Sequence, residues 1–164
     1  MRDKDAVMSG AMFAELTAWA KDQGKTLYDI LMDIYVRFGV YKAKGISVVK
    51  KGKSGAEEIE RMMSGYRAKP FESIAGHRVV QRTDYLLSQS TDCLTGATST
   101  VNLPKSNVLQ YVTEDGAKVT IRPSGTEPKI KFYIEVLADL PGRADFSRID
   151  KQLSDEIDRI AASF

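Results

Sequence analysis

The 164-residue chain carries 24 Lys plus Arg against 22 Asp plus Glu, a formal net charge of +2 that is too balanced for a dedicated nucleic-acid binder. With 43% hydrophobic residues it can bury a core slightly larger than one domain needs, yet no apolar run approaches the roughly 20 residues of a membrane span and no signal peptide opens it. Its single cysteine, Cys93, excludes an internal disulfide framework and fits a reducing cytoplasm.

In chain order, the first forty residues read as two helices. Met8, Met12, Leu16 and Trp19 mark one apolar stripe, and Leu27, Ile30, Leu31, Ile34, Tyr35 and Phe38 mark another; both are expected in the core. Thr26-Leu27-Tyr28-Asp29 starts the second helix, and Gly24 and Gly39 punctuate the ends. Tyr41 to Lys51 reads as a strand. It delivers the chain to a helix starting at Ser54, where Ser54 and Glu57 make a capping box and Ile59, Met62, Met63 and Tyr66 supply an apolar face. Gly52-Lys53-Ser54 imitates the end of a nucleotide-binding loop, but Ser47 stands where that loop needs glycine.

Pro70 ends this helical region, and His77 to Leu87 returns as a strand. His77, the only histidine, has no partners at metal-ligand spacing and reads as a surface or strand-end residue. Ser88 to Ser106, with eight Ser or Thr among nineteen residues, reads as a long loop in which Cys93 is an incidental thiol. A strand near Asn107 to Thr113 and the Asp115-Gly116 turn form a hairpin with Lys118 to Arg122. Phe146, Ile149, Leu153, Ile157, Ile160 and Phe164 specify a closing helix, which also carries Asp155, Asp158 and Arg159. Strands joined by short turns, with helices inserted or appended, imply an α+β fold: an antiparallel sheet with helices on one face.

The last two strands flank Arg122-Pro123-Ser124-Gly125-Thr126-Glu127-Pro128-Lys129. Arg122 offers a planar fork of donors, Ser124 and Thr126 add hydroxyls, and Gly125 lets the backbone turn so that N–H groups point inward. Lys118, Thr120 and Arg122 alternate with Val119 and Ile121, and Lys129, Lys131 and Tyr133 alternate with Ile130, Phe132 and Ile134. Strand parity therefore puts the cations on one face. The loop suits a bound anion; an ordinary polar hairpin, with Glu127 neutralising a lysine, uses the same residues.

This run resembles the phosphate-binding loop in the last domain of the α-D-phosphohexomutases, the phosphoglucomutase and phosphomannomutase family. Arg2-Asp3-Lys4-Asp5-Ala6 resembles the Arg-x-Lys-Asp-Gly stretch that follows the family's sugar-recognition loop, with Ala6 replacing the commoner glycine. By itself that stretch also reads as a charged cap before a helix beginning near Val7. The resemblance covers nearly the whole chain. It implies that Arg122, Ser124, Gly125 and Thr126 contact a substrate phosphate and that Lys131, where many relatives have arginine, adds a point charge. Lys4 would face the same cleft as an electrostatic or proton-handling group, or be a paired surface lysine.

For the fold, the resemblance implies a TATA-box-binding-protein-like last domain at 41–164, preceded at 1–40 by helices of the third mutase domain whose apolar face is partly orphaned. For function, it implies that the loop holds the non-reacting phosphate of a glucose or mannose phosphate, while a phosphoserine elsewhere exchanges its phosphoryl group through a bisphosphate intermediate. The nucleophilic Ser-His-Asn-Pro loop, the Asp-x-Asp-x-Asp-Arg magnesium loop and the Gly-Glu-x-Ser sugar loop of that chemistry do not occur in the sequence. The expectation is thus the C-terminal portion of a larger cytoplasmic enzyme, inactive alone, with Met1 not its native start and magnesium (Mg) bound by another domain. Its partners would be the phosphosugar and the missing N-terminal domains, with no nucleic acid and no membrane. An autonomous anion- or phosphopeptide-binding module without catalysis is the alternative reading, and a purely structural fragment a third.

Overall fold

The computed structural model describes residues 4–50 and 52–164. Met1, Arg2 and Asp3, which open the Arg2–Ala6 motif, and Lys51, the expected strand end, lie outside the described residues. The chain divides into two compact units, Met1–Val40 with Ala138–Ile149, and Tyr41–Leu137 with Asp150–Phe164.

The first unit contains α1 (Ala6–Asp22) and α2 (Leu27–Phe38). Asp5 caps α1 by accepting the Met8 N–H at 3.0 Å. Thr26 and Asp29 form the expected reciprocal cap on α2. Arg143, in a 3-10 turn over Arg143–Asp145, donates to Asp29 at 2.9 Å and also grips Asp33, while Tyr35 stacks on Phe146 at 5.7 Å. The Thr26 hydrogen bonds, and after them Arg143, hold the Asp29 carboxyl below its usual range.

The apolar stripe expected in the core is not there. Met8, Met12, Leu16 and Trp19 are exposed, Met12 at 63%, and among the described residues of the two helices only Ala20 and Met32 are buried. A helix buries its stripe only where another layer covers it, and the outer face of α1 has none in this unit.

The remaining elements are β1 (Val40–Val49), α3 (Gly52–Ala68), β2 (Ser73–Ile74), β3 (His77–Asp84), β4 (Gln89–Asp92), β5 (Thr98–Thr100), β6 (Leu109–Thr113), β7 (Lys118–Pro123), β8 (Lys129–Ala138) and α4 (Phe146–Ala161). The sheet runs β1-β8-β7-β6-β3-β4-β5, with β2 paired to β3 off this path. Ser54 sits inside α3 rather than at its cap. The reason is a tight exit from β1: a Cβ added at Gly55 would lie 2.7 Å from Lys50 Cβ, so the helix must begin against the strand end.

The Ser/Thr-rich segment expected as loop instead contributes β4 and β5. Thr83 and Ser90 hydroxyls lie 3.1 Å apart, and Gln81 donates to Ser90 Oγ at 3.0 Å, so polar side chains satisfy one another across the strands. Thr is β-branched and forms strands readily; its polarity conceals the pattern.

Alternation on β7 and β8 builds the core. Ile121 opposes Phe132 and Val119 opposes Ile134, all essentially inaccessible. Phe71 meets Tyr66, Tyr111 and Phe164 with ring centroids 5.4, 5.5 and 5.2 Å apart, and Phe164 meets Phe132 at 4.9 Å. The Tyr111 hydroxyl donates to the Tyr66 carbonyl at 3.4 Å, tying β6 to α3.

Burial pushes the Tyr111 phenol up to about 12. Because the unfolded phenol ionises near 10, this group's stabilisation is complete below about pH 10 and is lost as pH rises toward 12, by about 1.4 kcal/mol per pH unit. Urea unfolding at stepped alkaline pH should show that slope, and Tyr111→Phe should flatten it. An unchanged slope in the variant would assign the alkaline loss to another group.

Candidate anion-binding site

The loop between β7 and β8 is closed at its base by the Ser124 N–H, which donates to the Lys129 carbonyl at 2.7 Å. Arg122 and Lys131 stand directly opposite one another in the β7–β8 register, on the solvent face that parity assigns them. Neither makes a hydrogen bond or ion pair with any described residue. Their neighbours differ: Lys118 pairs with Glu135 at 3.5 Å, and Lys129 engages Glu127. Glu127 therefore does neutralise a lysine, and the hydrogen bond from Lys129 holds its carboxyl below the usual range. Among the described residues these two cations form no ion pair, though Lys131 adds to the field on Glu127, and like charges directly opposite on adjacent strands disfavour each other.

Ser124 Oγ accepts from the Thr126 N–H at 3.4 Å and from the Glu127 N–H at 3.3 Å. The loop amides thus turn toward Ser124, through bonds at the long limit for neutral groups. Gly125 is not held in a left-handed conformation, contrary to the turning role expected of it. An added Cβ there would meet nothing within 4 Å, so glycine keeps open space beside the loop.

Residues 123–128 form one wall of a cleft of about 560 Å³; the opposite wall is Ala56, Glu57, Ile59, Glu60 and Met63 of α3, with Asn107 at the rim. The helix wall carries Glu57 and Glu60, while the loop wall offers Ser124 and Thr126 beside Glu127, so an anion belongs at the loop and away from α3. No magnesium ion fits the loop itself, since its one carboxylate is engaged by Lys129 and cations border it.

Sequence reasoning missed a polar network that reaches Asn107. Arg67 donates to Asn107 Oδ1 at 2.7 Å and to Asp84 Oδ2 at 2.8 Å, and Asp84 Oδ1 accepts the Leu86 N–H at 2.9 Å. These residues share no local spacing, so no sequence signal joins them. Lys4 immediately precedes the Asp5 cap in the first unit, whereas the loop belongs to the second. His77 has neighbours that its spacing conceals: its ring nitrogens lie 3.7 Å from Asp115 and 3.6 Å from Glu156.

Residues 60–140 match the family described as phosphoglucomutase/phosphomannomutase, C-terminal domain. A phosphoglucomutase of Staphylococcus saprophyticus is 35% identical over 135 residues, covering 82% of this chain and 24% of the relative. One from Staphylococcus haemolyticus is 34% identical over 139 residues, covering 85% and 25%. The chain thus spans about a quarter of the length of the curated relatives it matches. The crystal structure of the open form of parafusin, a phosphoglucomutase from Paramecium, matches 98% of this chain and 28% of its own with a TM-score of 0.50. At 15% identity that likeness concerns the fold alone.

Proposed function

Since the chain belongs to the phosphoglucomutase/phosphomannomutase family through the C-terminal domain it carries, we propose that its β7–β8 loop holds the phosphate of a phosphosugar that is not reacting. The observation that carries this reading is the in-register pair Arg122 and Lys131, two cations that make no hydrogen bond or ion pair with a described residue, beside a loop whose amides turn toward Ser124. A tetrahedral dianion between them removes their repulsion and accepts the guanidinium fork. It also outcompetes Ser124 Oγ for the Thr126 and Glu127 amides, because those bonds are long and their acceptor is neutral. The Thr126 hydroxyl and the open side of Gly125 complete the cradle.

Such a cradle reads charge and tetrahedral shape, not the sugar ring, so it accepts either phosphorylated end of a hexose as the bisphosphate turns over. The names of the curated relatives favour glucose phosphates. Nucleophile and magnesium belong to other domains of the complete enzyme on this reading, and residues 41–164 act as its phosphate-binding domain. The exposed Met8, Met12, Leu16 and Trp19 stripe is then the surface on which those domains dock. Cys93, a lone free thiol, accords with the cytoplasm.

The isolated chain should bind inorganic phosphate weakly, with Kd on the order of millimolar, because the ion stays partly exposed and gains one arginine fork plus a few amide bonds. In an amide-shift titration, Ser124 to Thr126 and Lys131 should move together and saturate. Shifts that spare these residues would refute the cradle.

A further inference from the structure

A second chemical cluster lies in the same unit, and its argument is independent of the loop. His77 opens β3, Asp115 lies in the β6–β7 turn and Glu156 is on α4; one ligand atom from each lies within 4.8 Å of the others. They line a pocket of about 310 Å³ whose other walls include Ala117, Val136 and Leu153. Each carboxylate has one oxygen tethered and the other presented. Thr113 Oγ1 donates to Asp115 Oδ1 at 2.6 Å, leaving Oδ2 3.7 Å from His77 Nδ1. Arg159 donates to Glu156 Oε2, leaving Oε1 3.6 Å from His77 Nε2.

These separations are too long for hydrogen bonds. One imidazole nitrogen can face an ion. With one atom taken from each residue the three lie within 4.8 Å, wider than the edge of about 3.3 Å between ligands about 2.0–2.1 Å from a tetrahedral ion, so side chains must close onto it. Glu156 is only 9% exposed, and its Oε1 is buried without a hydrogen bond from any described residue. A buried carboxylate oxygen in that state is costly and calls for a cation or donor. His77 is half-buried and Asp115 exposed, so both can rotate onto an ion that Glu156 anchors.

We infer that His77, Asp115 and Glu156 form a binding site for a borderline divalent transition ion, Zn²⁺ foremost, with water completing the shell. One imidazole with two carboxylates suits Zn²⁺ better than Mg²⁺ or Ca²⁺, which prefer all-oxygen shells. The ion would join the start of β3, the β6–β7 turn and α4, three elements far apart in sequence, and would raise stability by binding only the folded chain.

The test is calorimetric titration of the full chain with Zn²⁺, in a Cys93→Ser background that removes the one thiol. Co²⁺ absorption serves as a second probe of the ligand field. We expect one equivalent bound and a melting temperature that rises with Zn²⁺ concentration. His77→Gln and Glu156→Gln should each weaken binding at least tenfold. His77→Gln, at a half-buried position, keeps the test valid if Glu156→Gln misfolds. The inference fails if Zn²⁺ does not bind below about 1 mM, or if both folded variants bind it as tightly as the parent.

Discussion

Replacing Arg122 with alanine in the complete enzyme is expected to lower kcat/KM for the phosphosugar by about 30- to 150-fold, or about 2 to 3 kcal/mol. The guanidinium stands unpaired at the end of β7, so truncation removes a charge-assisted fork without breaking any bond that holds the fold. Arg122→Lys should recover only part of the loss, because a point charge cannot reproduce two parallel hydrogen bonds. Lys131→Ala should cost less, since its flexible ammonium is screened by solvent.

The cross-strand geometry adds a diagnostic. Arg122 and Lys131 repel each other in the free chain, so neutralising either should leave thermal stability unchanged or slightly raised while phosphate affinity falls. Opposite signs in the two measurements mark a binding site; parallel losses mark a folding defect. On the proposed reading, phosphorylation of a nucleophilic serine in another domain should survive all three substitutions. Wild-type kinetics in Arg122→Ala would overturn the functional reading.

Phe132→Ala is expected to destabilise the chain by about 3 to 5 kcal/mol. Phe132 is 1% exposed, opposes Ile121 and packs on Phe164, whose ring continues the contact to Phe71 and Tyr111. Truncation loses apolar burial, leaves a cavity that neighbouring strands cannot close, and breaks one aromatic pair. At roughly 2 to 4 °C per kcal/mol for a chain of this size, the melting temperature should fall by about 6 to 20 °C. Phe132→Leu retains most of the volume and should cost less than half as much. A drop of under 2 °C in Phe132→Ala would mean that the aromatic cluster is not the core of this unit.

Local patterns were legible wherever the physics is local. Alternation of Val119, Ile121, Ile130, Phe132 and Ile134 with Lys118, Arg122 and Lys131 reports strand parity directly, because successive side chains point to opposite faces. Thr26 and Asp29 announce a cap because the reciprocal bonds span only three residues. The Ser88 to Ser106 stretch failed because β4 and β5 are held by backbone pairing at the edge of the sheet, with polar contacts such as Thr83 to Ser90 in place of an apolar face. Met8, Met12, Leu16 and Trp19 failed for the opposite reason: periodicity shows that a face is apolar but not what covers it.

By itself the sequence determined the α+β class, the β7–β8 hairpin and the contiguous run from Arg122 to Lys129, since each is encoded within a few neighbouring residues. Only the tertiary structure decided that Lys129 forms an ion pair with Glu127 while, among the described residues, Arg122 and Lys131 form none. It alone joined Arg67 to Asp84 and Asn107 and gathered His77, Asp115 and Glu156. Those groups meet because strand pairing and helix docking close long loops, and chain spacing carries no record of which distant side chains such closure brings within a few ångströms.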